Sequence, residues 1–417
     1  MRATRLANGV RVLSEELPDL ASVTVGIWVE NGSRYERDDQ AGLSHYLEHL
    51  FFKGTERRSA AEIAEAVDSV GGVINAFTGR EYTCYYAKVL AEHLSLALDV
   101  LGDIFTRSRF AEEEIDRERS VILQEISQVE DNPDEWVHDL FAQALWPGHP
   151  LARPIPGTAE TVGRFHRADF LAFLQERYRA DRVIVAAAGK LSHETLVDTV
   201  AAILAGPATT TPACSIAAPI VARAVTVHEK ELEQLHVCIG TPGIGVLDPE
   251  RYSARVLELA LGGGMSSRLF QEIREKRGHA YTIYSFLNSY SEVGYFGVYV
   301  GTSADKLHEV LDLVRAEFRR IASDGLTPHE LERTKNQMKG NMLLGLETSD
   351  SRMTRLARNE IYHHRDVPLA EIAAGIDAVR NEDVIGMAQR LLGAGPQAVT
   401  ILGDLRGVRI DDGVLGA

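Results

Sequence analysis

Polar and apolar positions change period within the stretch NAFTGREYTCYYAKVLAEHLSLALDVLGDIF, residues 75–105. Its first part alternates, as a strand with one buried face does, and its second part follows the spacing of an amphipathic helix. After a turn, FAEEEIDRERSVILQEI reads as a further helix. The N-terminal MRATRLANGVRVLSEEL reads as a strand entered through an Asn-Gly turn. It lacks the apolar core of a signal peptide.

This order returns in the second half. The stretch NSYSEVGYFGVYVGTSADKLHEVLDLVRAEF begins at Asn288, 213 residues after Asn75. In that register Leu94 meets Leu307, Leu98 meets Leu311, Asp99 meets Asp312 and Phe105 meets Phe318. The helix that follows corresponds to LTPHELERTKNQMKGNM. Between the halves, GPATTTPACSIAAP is rich in Pro, Thr and Ala, has no periodicity, and reads as a linker. The pattern predicts an α+β chain of two homologous domains in tandem, residues 1–205 and 223–417, joined by a linker over 206–222. Each domain is expected to be an antiparallel-rich sheet with helices packed on one face.

One stretch breaks the apolar pattern. GLSHYLEHLFFKGT sets His45, Glu48 and His49 among Leu47, Leu50, Phe51 and Phe52. On a helix, His45 and His49 stand one above the other and can aim both imidazoles at one metal ion. Glu48 lies on the same face and is placed to hold a water. This is the inverted order of the H-E-x-x-H zinc motif. The second half carries Glu258, Leu261 and Gly262 in the corresponding register, so the triplet is not something the fold requires for packing. A catalytic site wants a third protein ligand. Glu118 and Glu125, two helical turns apart in DRERSVILQEISQVEDNPDEW, share a helix face, with Val121, Ile122 and Ile126 expected to pack on the other. One carboxylate could ligate and the other accept a hydrogen bond from a ligand imidazole. The second half has Thr334 and Asn341 at these two positions.

Composition narrows the partners. The formal net charge of −16 argues against nucleic acid or an anionic membrane as the main partner. No apolar run approaches membrane-spanning length, and a cytoplasmic location is expected. Cys84, Cys214 and Cys238 are too scattered for a disulfide framework and read as small buried or half-buried apolar residues. His93, His138, His149, His363 and His364 have no partners at ligand spacing and are expected at the surface or in caps.

HYLEH, followed 76 residues later by the last Glu of ERSVILQE, resembles the pitrilysin/insulinase family of zinc peptidases in a short two-domain form. The resemblance extends through HPLARPIPGT and GGGMSSRLFQEIREKRGHAY. It implies one Zn2+ per chain held by His45, His49 and Glu125, Glu48 as general base and Glu118 supporting a ligand. It implies further that Arg274 and Tyr281 of IREKRGHAY lie over the scissile bond, where a guanidinium and a phenol can hold the carbonyl oxygen as it gains charge. Asn75 and Ala76 of NAFT would bind substrate backbone on an edge strand. Glu135 and Asp139, ten and fourteen residues past Glu125, match a pair that holds an Arg before the cut in the mitochondrial processing enzyme. Relatives of this length form two-chain clamshells. The resemblance thus implies a homodimeric endopeptidase that cuts short or unfolded peptides in a closed chamber. The alternatives are a non-catalytic peptide-binding or scaffold member, or a subunit of a heteromeric processing peptidase.

Overall fold

The computed structural model describes residues 1–209, 216–410 and 412–415; Cys214 and the middle of the predicted linker lie outside these. The chain forms two compact units, each with one mixed sheet. The first unit holds β1 (Arg2–Arg5), β2 (Arg11–Glu16), β3 (Ser22–Val29), β4 (Val73–Thr78), β5 (Thr83–Leu90) and β6 (Val183–Gly189), in the order β1-β2-β6-β3-β5-β4. The second holds β7 (Ala224–His228), β8 (Leu235–Pro242), β9 (Ala280–Ser289), β10 (Gly294–Thr302) and β11 (Ala398–Leu402), in the order β7-β11-β8-β10-β9. Without β1 the two orders correspond strand for strand. In each, one pairing is parallel (β2 with β6, β7 with β11) and the others are antiparallel. The duplicated, antiparallel-rich α+β architecture expected from the sequence is present. The Asn8–Gly9 turn joins β1 to β2, with Leu6 N–H donating to the Val10 carbonyl at 2.8 Å.

The helices in chain order are α1 (Leu43–Leu50), α2 (Ala60–Asp68), α3 (Leu94–Arg107), α4 (Glu112–Asp131), α5 (Pro133–Leu145), α6 (Ala159–Arg164), α7 (Arg167–Arg177), α8 (His193–Ile203), α9 (Arg251–Gly262), α10 (Leu307–Asp324), α11 (Pro328–Leu344), α12 (Ser349–His363), α13 (Leu369–Ala378) and α14 (Asn381–Leu392). In the first unit α1, α3, α4, α7 and α8 close one face of the sheet around Val25, Tyr85, Leu101, Ile115 and Phe170. In the second unit α9, α10 and α14 do the same around Leu257, Phe296, Val314 and Met387.

Among the described residues one helix covers the opposite face of each sheet, and it comes from the other half of the sequence. Met353, Leu356 and Ala357 of α12 pack on Trp28, Cys84 and Ile184 in the first unit. Val137, Leu140 and Phe141 of α5 pack on Cys238, Tyr295, Tyr299 and Leu402 in the second. The compact units are therefore discontinuous. The first comprises 1–128, 153–216 and 345–366, and the second 129–152, 217–344 and 367–417. Two segments thus lie across the division at 206–222. The physical reason is visible in the strands. β6 and β10 are buried along their whole length, so both sheet faces need apolar cover.

Cys84 and Cys238 are buried free thiols. Two histidines differ from expectation. His149 is buried, with Nε2 at 2.9 Å from the Ala217 carbonyl oxygen, and His138, on α5, is half-buried, with Nε2 at 2.8 Å from the Tyr284 hydroxyl. Sequence spacing could not show that α5 turns this imidazole inward. Among the described residues no helix is long and apolar enough to cross a membrane.

Candidate metal centre

The α1 helix begins after Gly42, whose φ of +94° lies in the left-handed region. A Cβ there would fall 2.4 Å from the Pro156 carbonyl oxygen, so glycine lets the backbone at Pro156 and Gly157 approach the helix start. The Glu36 carboxylate accepts the N–H groups of Gly42 (2.9 Å) and Ser44 (2.7 Å), satisfying donors that the first turn leaves open. Leu43, Leu47 and Leu50 face the core, and the Tyr46 hydroxyl donates to the Ile115 carbonyl of α4. With its apolar side pinned, α1 presents His45, Glu48 and His49 from the other.

On α4 the buried stripe is Ile115, Glu118 and Ile122. Ile126 is partly buried against the same core, but Val121 is 39% exposed, contrary to expectation: the helix buries a narrow stripe and Val121 falls outside it. The stripe's edge turns Glu118 and Glu125 toward α1. Glu125 Oε2 stands 3.7 Å from His45 Nε2 and 3.5 Å from His49 Nε2. One ligand atom from each of the three lies within 4.8 Å of the others, the one such cluster among the described residues.

These donors fit a tetrahedral divalent ion. Ligand atoms sharing an ion at about 2.1 Å stand about 3.4 Å apart, close to the spacing here. The separations exceed ordinary hydrogen-bond lengths, and three facing ligand atoms at this spacing suit a shared cation. Glu118, 3% exposed, has Oε2 at 3.1 Å from His49 Nδ1 and Oε1 at 2.7 Å from Lys53 Nζ. That bond assigns the proton of His49 to Nδ1 and leaves Nε2 free to ligate. Burial, with His49 adjacent, pushes the His45 pKa down to about 4, so its ring is neutral at pH 7, as ligation demands. Among the described residues the buried His45 Nδ1 has no hydrogen-bond partner, and the ring packs edge-on against that of His49, with centroids 4.8 Å apart. Glu48 stands apart from the three. Burial raises its pKa, opposed by a hydrogen bond from the Thr78 hydroxyl at 2.5 Å.

Asn75 and Ala76 lie on β4, which is the free edge of its sheet; Asn75 is exposed and Ala76 half-buried. Arg274 and Tyr281 belong to the second unit. Arg274 sits in a π-helical turn, Phe270–Glu275, with its guanidinium 4.9 Å from the centroid of Tyr281 and 4.7 Å from that of Phe270. Tyr281, at the start of β9, is 73% exposed. Glu135, exposed, and Asp139, half-buried, lie on α5 and so also belong to the second unit rather than to the unit of the donor cluster. Lys53 touches the Glu118 carboxylate and Thr78 that of Glu48, and neither contact was expected from the sequence. Lys53 stands one turn after His49, and Thr78 two residues after Ala76.

Two family models match the chain. One, described as Insulinase (Peptidase family M16), matches residues 11–159, and another, described as Peptidase M16 inactive domain, matches residues 164–338. A protein of Streptomyces coelicolor named "Uncharacterized zinc protease" is 42% identical over 414 residues, 97% of this chain and 90% of its own length. The chain belongs to the insulinase family of peptidases, M16. A Bacillus subtilis protein with the same designation is also 42% identical, over 92% of this chain and 94% of its own. Two solved structures share the M16 fold at 21% identity. One is titled a peptidase M16 inactive domain from Pseudomonas fluorescens (TM-score 0.88, covering 96% of this chain and 97% of that one). The other is titled a protease from Helicobacter pylori (TM-score 0.87, covering 97% and 99%). The donor cluster of this M16 chain lies wholly within the segment that the peptidase model matches.

Proposed function

We propose that the chain is a zinc metalloendopeptidase acting on short or unfolded peptides. The observation that carries this is the convergence of His45 Nε2, His49 Nε2 and Glu125 Oε2, with Glu48 beside the cluster and outside it. His45, His49 and Glu125 would hold the ion and Glu118 would fix the His49 ring. The names of the relatives support zinc as the metal. Bound zinc supplies Lewis-acid polarisation of the scissile carbonyl and acidifies a water. The Glu48 carboxylate would take a proton from the attacking water and pass it to the leaving amine. The substrate backbone adds to the free edge of β4 at Asn75–Ala76. Arg274 and Tyr281 donate to the carbonyl oxygen as its charge grows.

The test is Glu48→Gln. The variant is expected to keep stoichiometric zinc and lose peptide cleavage; wild-type cleavage by it would refute the base assignment. We propose further that the enzyme is a homodimer enclosing a chamber, in which each donor cluster is completed by the partner's Arg–Tyr pair. The support is the two-chain form of similar short family members and the assignment of cluster and pair to different compact units. Mixing Glu48→Gln with Tyr281→Phe chains checks it. Random pairing should restore about a quarter of wild-type activity if the pair acts across the dimer, and none if it acts within one chain. A preference for Arg near the cut, held by Glu135 and Asp139, rests on their acidity and their spacing of one helical turn.

A further inference from the structure

The edge strand does more than offer a backbone edge. Its last residue, Thr78, donates its hydroxyl to Glu48 Oε2 at 2.5 Å, and among the described residues Thr78 is the one hydrogen-bond partner of that carboxylate. The pleat of β4 explains the geometry. Ile74 and Ala76 pack toward the helix-covered core, and Thr78 is next in that alternation, so its side chain emerges beside α1.

The end of the β4–β5 hairpin is held firmly. Ser33 N–H donates to the Gly79 carbonyl (3.2 Å), Arg34 N–H to the Arg80 carbonyl (2.8 Å), and the Thr83 hydroxyl to the Asn31 carbonyl (2.9 Å). The buried Glu81 in the turn pairs with Arg34 and accepts the Tyr362 hydroxyl of α12 at 2.8 Å. A Cβ at Gly32 would lie 2.3 Å from the Gly79 carbonyl oxygen, so only glycine allows this approach. The hydroxyl that meets Glu48 is thus carried by a fixed frame.

From this geometry we infer that Thr78 is a positioning residue for the base, holding the Glu48 carboxylate in register with a peptide bound along the same strand. The inference rests on the reading of Glu48 as the base. A glutamate reaching from a helix can rotate its carboxylate about χ3 at little cost. A donor fixed to one oxygen leaves the other directed at the water. Thr78 keeps its own proton throughout, and its contribution is orientation. The residue pair that receives the substrate backbone and the hydroxyl that sets the base sit two residues apart on one rigid strand. Register of the substrate and aim of the base are then fixed together.

The experiment compares Thr78→Val, Thr78→Ser and Thr78→Ala in the full chain, with a fluorogenic peptide and zinc content as readouts. Thr78→Val is expected to lower kcat about tenfold to a hundredfold, the range for a lost hydrogen bond to a charged catalytic group, with KM within about twofold. Zinc content should stay at the wild-type level. Thr78→Ser should recover most of kcat, whereas Thr78→Ala should not. Thr78→Val placed on Glu48→Gln should add no further loss, because the two act as a unit. If Thr78→Val does not fold, the Ser/Ala pair decides alone. The inference is overturned by a wild-type kcat in Thr78→Val or Thr78→Ala, by a loss that lies wholly in KM, or by loss of zinc. An active Glu48→Gln sinks the base assignment instead. An inactive Glu48→Gln beside an unimpaired Thr78→Val sinks only the role of Thr78.

Discussion

The two units share one sheet order yet differ where a helix meets the strand next to the edge of the site. In the first, α1 stands beside β4 with room for His45, Glu48 and His49, and Glu48 meets Thr78 across the gap. In the second, α9 lies beside β9, and a Cβ at Gly262 would fall 2.2 Å from the Ser285 backbone nitrogen. At the register of the repeat, Gly262 takes the place of His49. The Ser285 hydroxyl donates to the Glu258 carbonyl at 2.6 Å, and the Glu258 carboxylate is paired with Arg255 at 3.0 Å. One copy thus uses the helix–sheet gap for donors, and the other fills it with close backbone packing. A metal site costs a fold the packing it displaces, which a duplicated chain need sacrifice only once.

Removing a ligand should have the largest effect. His49→Ala, or stripping the metal with a chelator, is expected to lower cleavage by more than about a thousandfold, the loss of several kcal/mol of polarisation, while re-added zinc rescues only the stripped wild type. Metal analysis alongside peptide assays checks both. If His49→Ala retained zinc and activity, the contrast between the units would vanish. Next comes the packing side of the comparison. Gly262→Ala is expected to destabilise the protein by about 1–3 kcal/mol through overpacking against β9, with zinc content unchanged. Denaturant unfolding measures this, and an unaffected midpoint would mean that the second gap is open after all. Glu118→Gln should weaken zinc binding about tenfold to a hundredfold without abolishing it, read by competition with a chelating dye. The smallest change belongs to Glu135→Gln with Asp139→Asn. It should leave turnover of neutral peptides intact and reduce any preference for Arg by only a few-fold, about 1 kcal/mol or less for partly exposed charges. Cleavage-site profiling of a peptide library would expose a larger or absent shift.

Much of the site was legible because it lies on local periodicity. The spacing of His45, Glu48 and His49 places them on one helix face whatever surrounds that helix. Glu118 and Glu125 were legible as a pair, and the family resemblance implied Glu125 at the ion and Glu118 in support, but their spacing alone does not fix that division. That depends on how α4 crosses α1, which puts Glu118 at His49 Nδ1 and Glu125 between the two Nε2 atoms. Val121 was misjudged for the same reason, since an apolar residue beside a narrow buried stripe looks in sequence like part of it. The chain between α4 and α5 misleads differently. Glu135 is only ten residues from Glu125, yet the break at Asn132–Pro133 starts a new helix, with Pro at its first position, in the other compact unit. Thr78 continues the β4 alternation and Lys53 stands one turn after His49, but neither position announces its polar partner, which only the packing shows.

The sequence alone determined the repeat, the α+β class and the shared helix face of His45, Glu48 and His49. Each follows from periods of two and 3.6 residues and from the chemistry of side chains that those periods bring to one face. Tertiary structure alone decided how Glu118 and Glu125 approach the two imidazoles, which unit owns α5 and α12, and that an edge-strand hydroxyl meets Glu48. These are matters of how separate elements pack. Packing is set by burying both faces of each sheet at once, a condition that couples residues hundreds of positions apart and leaves no mark in any short stretch of the chain.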